Sequence, residues 1–181
     1  MPQLISESIK ISKLQESEKE VVRQILDESY SQYKCKFHQK RWQKYIEDIY
    51  HSIDHPTVDT ILVAKRGDVL LGTVQLYSSS DSAYGMPELE INEAIIRFLA
   101  VVPSARSQGI AFKLLKAVQS IVENQKGSHM FLHTSDVMTD AIQLYHRFGF
   151  VRDRTKEYYK ENDLIKCFRY DLKNECKELE K

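Results

Sequence analysis

Polar and apolar residues alternate over Ser6-Glu7-Ser8-Ile9-Lys10-Ile11-Ser12, which predicts a half-buried strand, and beyond Leu14 the apolar spacing changes to three and four residues. Val21, Val22, Ile25 and Leu26 then predict a first helix, with Ser17 as its N-cap and Glu18 and Glu20 in its first turn. Trp42, Tyr45, Ile46, Ile49 and Tyr50 share a stripe that predicts a second helix over 39–53, ended by His55-Pro56. Two apolar runs, 60–64 and 69–74, flank Arg66-Gly67-Asp68 and predict a hairpin. The stretch 78–87, rich in Ser, Asp and Gly, reads as a surface loop and as the least ordered part of the chain. Ile95-Ile96-Arg97-Phe98-Leu99-Ala100-Val101 is nearly all apolar, as a central strand covered on both faces would be, and Pro103 closes it. Ile110, Leu114, Ala117, Val118, Ile121 and Val122 mark one side of a helix over 107–124. A strand over 129–133, a helix over 139–148 with Gly149 at its C-terminus, and a hairpin of 150–159 with 164–172 complete the pattern.

This order of elements fits a single α/β domain over 1–173, followed by a charged tail, 174–181. A chain of 181 residues needs no second domain and no staples, since it buries roughly two-thirds of its unfolded surface. Lys plus Arg number 26 and Asp plus Glu 26, so no whole-molecule attraction to nucleic acid or to an anionic membrane is expected. The cysteines, Cys35, Cys167 and Cys176, are odd in number and unpaired in spacing, which suits reduced thiols better than a disulfide framework or a zinc site. No run approaches the roughly 20 apolar residues of a spanning helix, and the first 14 residues lack the apolar core of a signal peptide. A cytoplasmic protein without a metal is the expectation, and the sequence leaves room for a homodimer.

The candidate chemistry begins where the apolar strand ends, at Val102-Pro103, a few residues before a helix starts. The first N–H groups of that helix have no partners within it, and with the helix dipole they form a receptor for an anion such as a pyrophosphate. Gly109 lets the backbone approach the phosphates closely, small Ala111 keeps the helix start tight, and Arg106 adds a fixed positive charge. One glycine between a strand and a helix is more often an ordinary turn. Here, however, the stretch from Phe98 through Val102-Pro103 to Arg106-Ser107-Gln108-Gly109-Ile110-Ala111 resembles the signature of the GCN5-related N-acetyltransferase (GNAT) family, an apolar strand followed by Arg/Gln-x-x-Gly-x-Gly/Ala. About thirty residues on, Ala141-Ile142-Gln143-Leu144-Tyr145 and Gly149-Phe150 look like that family's second block, and two blocks in order are far more specific than one.

The resemblance implies a twisted mixed sheet of about six to seven strands flanked by about four helices, with a V-shaped splay between two central strands. It implies acetyl-CoA as the acyl donor and CoA as product. Backbone groups of Leu99, Ala100 and Val101 would run beside the pantetheine arm, and Arg106, Ser107, Gln108, Gly109, Ile110 and Ala111 would hold the pyrophosphate. The activity implied is transfer of an acetyl group to a primary amine by direct attack. Such a transfer needs a neutral amine, so an ammonium must first lose a proton, and the departing sulfur needs a donor. Tyr145 matches the family's general-acid position, and a phenol of pKa about 10 is protonated at neutral pH. Where the family often has a cofactor-contacting Asn this chain has Met138, and Thr134, Ser135 or Asp136 are the polar groups nearby.

The base is less marked. Glu93 is the candidate, since in a regular strand it shares side-chain parity with Arg97, Leu99 and Val101, and an Arg97 facing the substrate would favour an acceptor bearing an anionic group. The bland readings stand beside these: Tyr145 as a core aromatic, Glu93 as a solvated strand-edge carboxylate, and His51, His55, His129, His133 and His146 as surface or polar-core residues. A small-molecule amine is the expected acceptor. The alternatives are a protein lysine or N-terminal acetyltransferase and a non-catalytic acyl-CoA sensor.

Overall fold

The structure, a computed structural model, describes residues 7–172, so the expected tail 174–181 lies outside the described residues. The elements in chain order are β1 (Ile9–Lys13), α1 (Lys19–Ser31), α2 (Gln39–Ser52), β2 (Thr60–Arg66), β3 (Val69–Tyr77), α3 (Ser80–Tyr84), β4 (Ala94–Val101), α4 (Ile110–Asn124), β5 (His129–Thr134), α5 (Thr139–Phe148), β6 (Val151–Arg152), β7 (Tyr158–Lys160) and β8 (Asp163–Asp171). The strands join in one mixed sheet in the order β1-β2-β3-β4-β5-β8-β6, with β7 also paired to β8, and helices flank the sheet. β4 and β5 are parallel over Ala94–Ile96 and Met130–Leu132, whereas β1 with β2 and β5 with β8 are antiparallel. The expected α/β architecture is therefore present.

Contacts divide the fold into two compact units. The first comprises the chain up to Pro56, Thr60–Gln75 and Phe98–Leu115. Its helices form because apolar residues recur at helical steps: Val22, Ile25 and Leu26 on α1 and Trp42 and Ile49 on α2 are all buried. The α1 helix begins later than Ser17, because Gln15 and Glu18 form a preceding turn in which the Gln15 amide donates to Glu18 Oε2 (2.9 Å). Asp54, just past α2, accepts from Lys19 (2.8 Å) and from Arg23, so both cations on α1 hold the end of its neighbour. Buried Gln75 on β3 is satisfied by Ser52 Oγ (2.7 Å).

Gly72 on β3 has no room for a side chain. A Cβ there would lie 2.9 Å from the Ala100 carbonyl oxygen, 3.2 Å from Leu114 Cδ1 and 3.3 Å from Ile110 Cγ2. The first turn of α4 therefore rests directly on the β3 backbone. Gly72→Val is expected to destabilise the protein by about 1–3 kcal/mol through overpacking, lowering Tm by several degrees, and a thermal melt with an unchanged midpoint would contradict this packing.

The second unit comprises Thr57–Asp59, Leu76–Arg97 and the chain from Lys116 on. Here the stretch read as a loose loop contains α3. Ser79 and Ser82 cap one another, each side-chain oxygen accepting the other's amide at 3.1 Å, and Gly85 (φ 64°) ends the helix with its amide on Asp81 O (2.7 Å). Ala83 is buried in a cluster with Tyr77, Ile91, Ile95, Phe131 and Cys167. A five-residue helix shows no periodicity, which is why only its caps betray it in the sequence.

The expected final hairpin is interrupted. Asp153 accepts from the Thr155 amide (3.0 Å) and hydroxyl (2.6 Å), turning the chain out between β6 and β7, and both short strands return to β8. Arg152 and Glu157 close this excursion, with Arg152 Nε donating to Glu157 Oε1 at 2.5 Å. That bond holds the Glu157 carboxyl below the usual range. A carboxylate with a lowered folded pKa stabilises the protein above its unfolded pKa, and this contribution is lost as pH falls through the folded value. Arg152→Leu is therefore expected to move the acid-unfolding midpoint, followed by circular dichroism, to higher pH.

Candidate active site

In the first unit, β4 leads into the candidate anion receptor. The Val102 amide donates to Leu71 O (2.9 Å), which fixes the strand's orientation against β3. By alternation, the backbone groups of Leu99 and Val101 turn away from β3. Their carbonyls are engaged by α1: Tyr30 Oη donates to Leu99 O (3.4 Å) and Ser29 Oγ to Val101 O (3.1 Å). The side-chain parity read from Glu93 to Val101 does not hold, because Phe98 adopts φ 50° and breaks the regular pleat. Phe98 itself is buried, its ring edge-on to Tyr30 at 6.3 Å.

The loop that follows reverses its backbone hand twice, at Ser107 (φ 61°) and Gly109 (φ 76°). The helix α4 starts at Ile110, not at 107, because these two left-handed residues are incompatible with helix. The Lys113 amide bonds Gly109 O at 3.0 Å, which ties the start of α4 to this residue. A Cβ on Gly109 meets no atom within 4 Å among the described residues, which means that the position opens outward. Arg106 is braced against the end of β4 and α1, with Nε on Val101 O (3.4 Å) and Nη1 on Gln32 Oε1 (3.3 Å). A second cation, missed in the sequence, flanks the loop: Arg66 Nη2 donates to Gln108 Oε1 (2.7 Å), while its buried Nε has no partner among the described residues. Nothing in the spacing links Arg66 to Gln108, since the sheet brings the end of β2 to the loop.

In the second unit, Tyr145 lies on α5 with 9% of its surface exposed, its ring near Phe150 (centroids 5.8 Å) and Phe168 (6.4 Å). Gly149 (φ 117°) ends α5. Glu93 is committed to the start of β5. Its Oε2 accepts the amides of Ser128 (3.2 Å) and His129 (2.8 Å), and Oε1 lies 2.8 Å from His129 Nδ1. Such a carboxylate organises a strand end and has little capacity left for an acceptor amine. Arg97 donates to the Ala83 carbonyl and lies over the rings of Tyr84 (4.8 Å) and Tyr77 (5.7 Å). At the far end of β5 the hydroxyls of Thr134 and Ser135 are buried with no hydrogen-bond partner among the described residues. Met138 is the N-cap residue of α5, its carbonyl accepting from the Ile142 amide (3.1 Å) and its side chain making no capping bond. Among the described residues, no group of three or more His, Cys, Asp or Glu side chains could hold a metal ion, and no helix is long and apolar enough to cross a membrane.

A family model described as the acetyltransferase (GNAT) family matches residues 20–150. The chain belongs to this family. The GNAT match includes both the Arg106–Ala111 loop and Tyr145. The chain is 26% identical over 154 residues to N-alpha-acetyltransferase 30 of Schizosaccharomyces pombe, covering 84% of this chain and 87% of that protein. It is 30% identical over 118 residues to mouse N-acetyltransferase 8B, covering 65% of this chain but only 48% of that protein. Matches to three mouse relatives span less than half of their lengths, 42%, 10% and 48%. Among solved GNAT structures, the PaiA N-acetyltransferase of Thermoplasma acidophilum in complex with coenzyme A shares the fold at TM-score 0.64 and 18% identity, covering 90% of this chain and 99% of that one. The ribosomal-protein-S18-alanine N-acetyltransferase of Escherichia coli does so at TM-score 0.64 and 15% identity, covering 96% and 99%.

Proposed function

We propose that this GNAT chain is an N-acetyltransferase that moves an acetyl group from acetyl-CoA to a primary amine by direct attack. The observation that carries the reading is the loop 106–111, where left-handed residues at Ser107 and Gly109 precede the α4 amides and the Gly109 position opens outward. Backbone amides so arranged, next to the cations Arg106 and Arg66, suit a pyrophosphate. The orphaned hydroxyls of Thr134 and Ser135 are fitting partners for the amides of a pantetheine arm, in place of the Asn that Met138 replaces. Bound acetyl-CoA would supply the thioester carbonyl that the amine attacks. Leu99 and Val101 would orient the arm through backbone groups turned away from β3, with Ala100 between them facing β3, and Tyr145 would give its proton to the departing sulfur.

A small-molecule amine is the first acceptor class. A peptide N-terminal amine is the second, favoured by the similarity to N-alpha-acetyltransferase 30 along most of both chains. Calorimetry with CoA, followed by a screen for CoA release from acetyl-CoA with small amines and with peptides bearing a free N-terminus, tests the reading. Saturable CoA binding and turnover with one amine class are expected, whereas absent CoA affinity would refute it.

A further inference from the structure

The second unit contains a polar chain that the reaction described above leaves without a task. His133 on β5 has Nε2 at 2.9 Å from the Lys156 carbonyl oxygen and Nδ1 at 3.0 Å from the Tyr84 hydroxyl. A carbonyl only accepts, so Nε2 carries the imidazole hydrogen. The lone pair of the neutral ring then lies on Nδ1, and the Tyr84 O–H donates into it. Both ends are held. Lys156 is anchored through Nζ to Leu89 O (2.9 Å) and Glu90 O (3.3 Å). Tyr84, the last residue of α3, stands edge-on to the imidazole with centroids 5.1 Å apart, under the Arg97 guanidinium that also grips Ala83.

We propose that Tyr84 and His133 together form the proton acceptor for the incoming ammonium, Tyr84 touching the amine and His133 taking the proton behind it. The proposal rests on the acetyl-transfer reading. An ammonium N–H gives its proton to Tyr84 Oη as the Tyr84 hydrogen passes to His133 Nδ1, which leaves a neutral amine and an imidazolium whose Nε2–H stays on Lys156 O. The amine nitrogen then bonds to the thioester carbon and the C–S bond breaks. The sulfur takes a proton from Tyr145, the second amine proton restores Tyr145, and His133 releases its proton to solvent. The sum is one amide, one thiol and one free proton.

The surroundings of His133 fit this task. Burial holds its pKa below the usual imidazole range, so the ring is neutral and able to accept at pH 7. Arg97 on β4 opposes the imidazolium, while Glu157 and Asp153 favour it. Tyr84 on α3, Tyr158 on β7 (ring centroids 5.4 Å from His133) and Cys167, its register partner on β8, also lie beside the ring. Burial pushes the Cys167 thiol up to about 12 and the Tyr84 hydroxyl upward too. The Tyr145 phenol lies within electrostatic range of Tyr84, which sets the sulfur's donor and the amine's acceptor in one neighbourhood. Glu93, the carboxylate singled out by the sequence, is occupied at the other end of β5.

The test is kcat/KM against pH from about 5.5 to about 9, measured with the best amine found among phenethylamine, spermidine and free-N-terminus tetrapeptides. Wild type is expected to show an acidic limb below the ordinary imidazole range. His133→Gln should remove that limb and lower kcat/KM about 100-fold, and Tyr84→Phe should do the same, with no further loss in the double variant because the two act in series. Arg97→Gln should move the limb to higher pH, since a cation facing the imidazole is gone. Wild-type kcat/KM with an unchanged acidic limb in His133→Gln overturns the proposal while leaving normal CoA affinity, and hence the acetyl-transfer reading, intact. Nitrogen NMR of labelled histidine in the wild-type protein checks the same idea without any variant: an Nε2–H tautomer titrating below the usual range is expected, and an Nδ1–H tautomer overturns it.

Discussion

Tyr145→Phe should lower turnover by about 100- to 10,000-fold and leave CoA affinity near its wild-type value. The change removes one oxygen and keeps the ring that packs near Phe150 and Phe168, so the apolar contacts of α5 survive. Loss of a single hydrogen bond changes stability by about 1 kcal/mol, far too little to unfold the domain at assay temperature. A core aromatic would behave otherwise: Phe would serve equally well, and turnover would stay within a few-fold of wild type. The diagnostic is the split between parameters, because an interaction made only in the transition state lowers kcat and kcat/KM together. CoA release in the steady state, paired with calorimetric CoA affinity for both proteins, separates the two readings.

Gly109→Val should weaken CoA binding by about 100-fold, a loss of about 2.7 kcal/mol, with a smaller effect on folding. Two physical effects act here in different states. In the free protein a β-branched residue at φ 76° is strained by about 1–2 kcal/mol, and because the added Cβ meets no neighbour within 4 Å among the described residues, no clash adds to that. With ligand, the same atoms occupy the space in front of the α4 amides, where the phosphate oxygens would approach. Gly109→Ala should lie between wild type and Val. Calorimetric titration with CoA, set beside a thermal melt, distinguishes the terms, and equal affinity in wild type and Val variant would remove the loop from the binding site.

Much of the architecture is legible in residue order. The apolar run at 95–101, the stripe of Ile110, Leu114 and Val118, and the run before Gly149 each carry a periodicity that burial requires, and each becomes the expected element. The proposed anion receptor is legible for another reason, since a loop closing a strand and opening a helix presents backbone amides at the helix start wherever it occurs. What the sequence conceals is short or tertiary. α3 is too brief for a period and is visible only through Ser79, Ser82 and Gly85 at its ends. The left-handed Phe98 is invisible because nothing about a phenylalanine signals φ 50°, and it upsets any parity counted through it. His133, Tyr84 and Lys156 are 23 and 49 residues apart in their pairings, so no local pattern unites them. Glu93 misleads for the opposite reason: an acidic residue at a strand start resembles a base, although it also satisfies the amides of the strand beside it.

Gly72 ties the durability of the fold to the grip on nucleotide proposed for the 106–111 loop. The missing side chain lets the first turn of α4 sit on the backbone of β3, so the contact that steadies the sheet also sets the height of the helix mouth. Added bulk at this site would lift that mouth and loosen the fold in one movement. Robustness and ligand retention here rise or fall together, and laboratory selection for either would guard the same empty space.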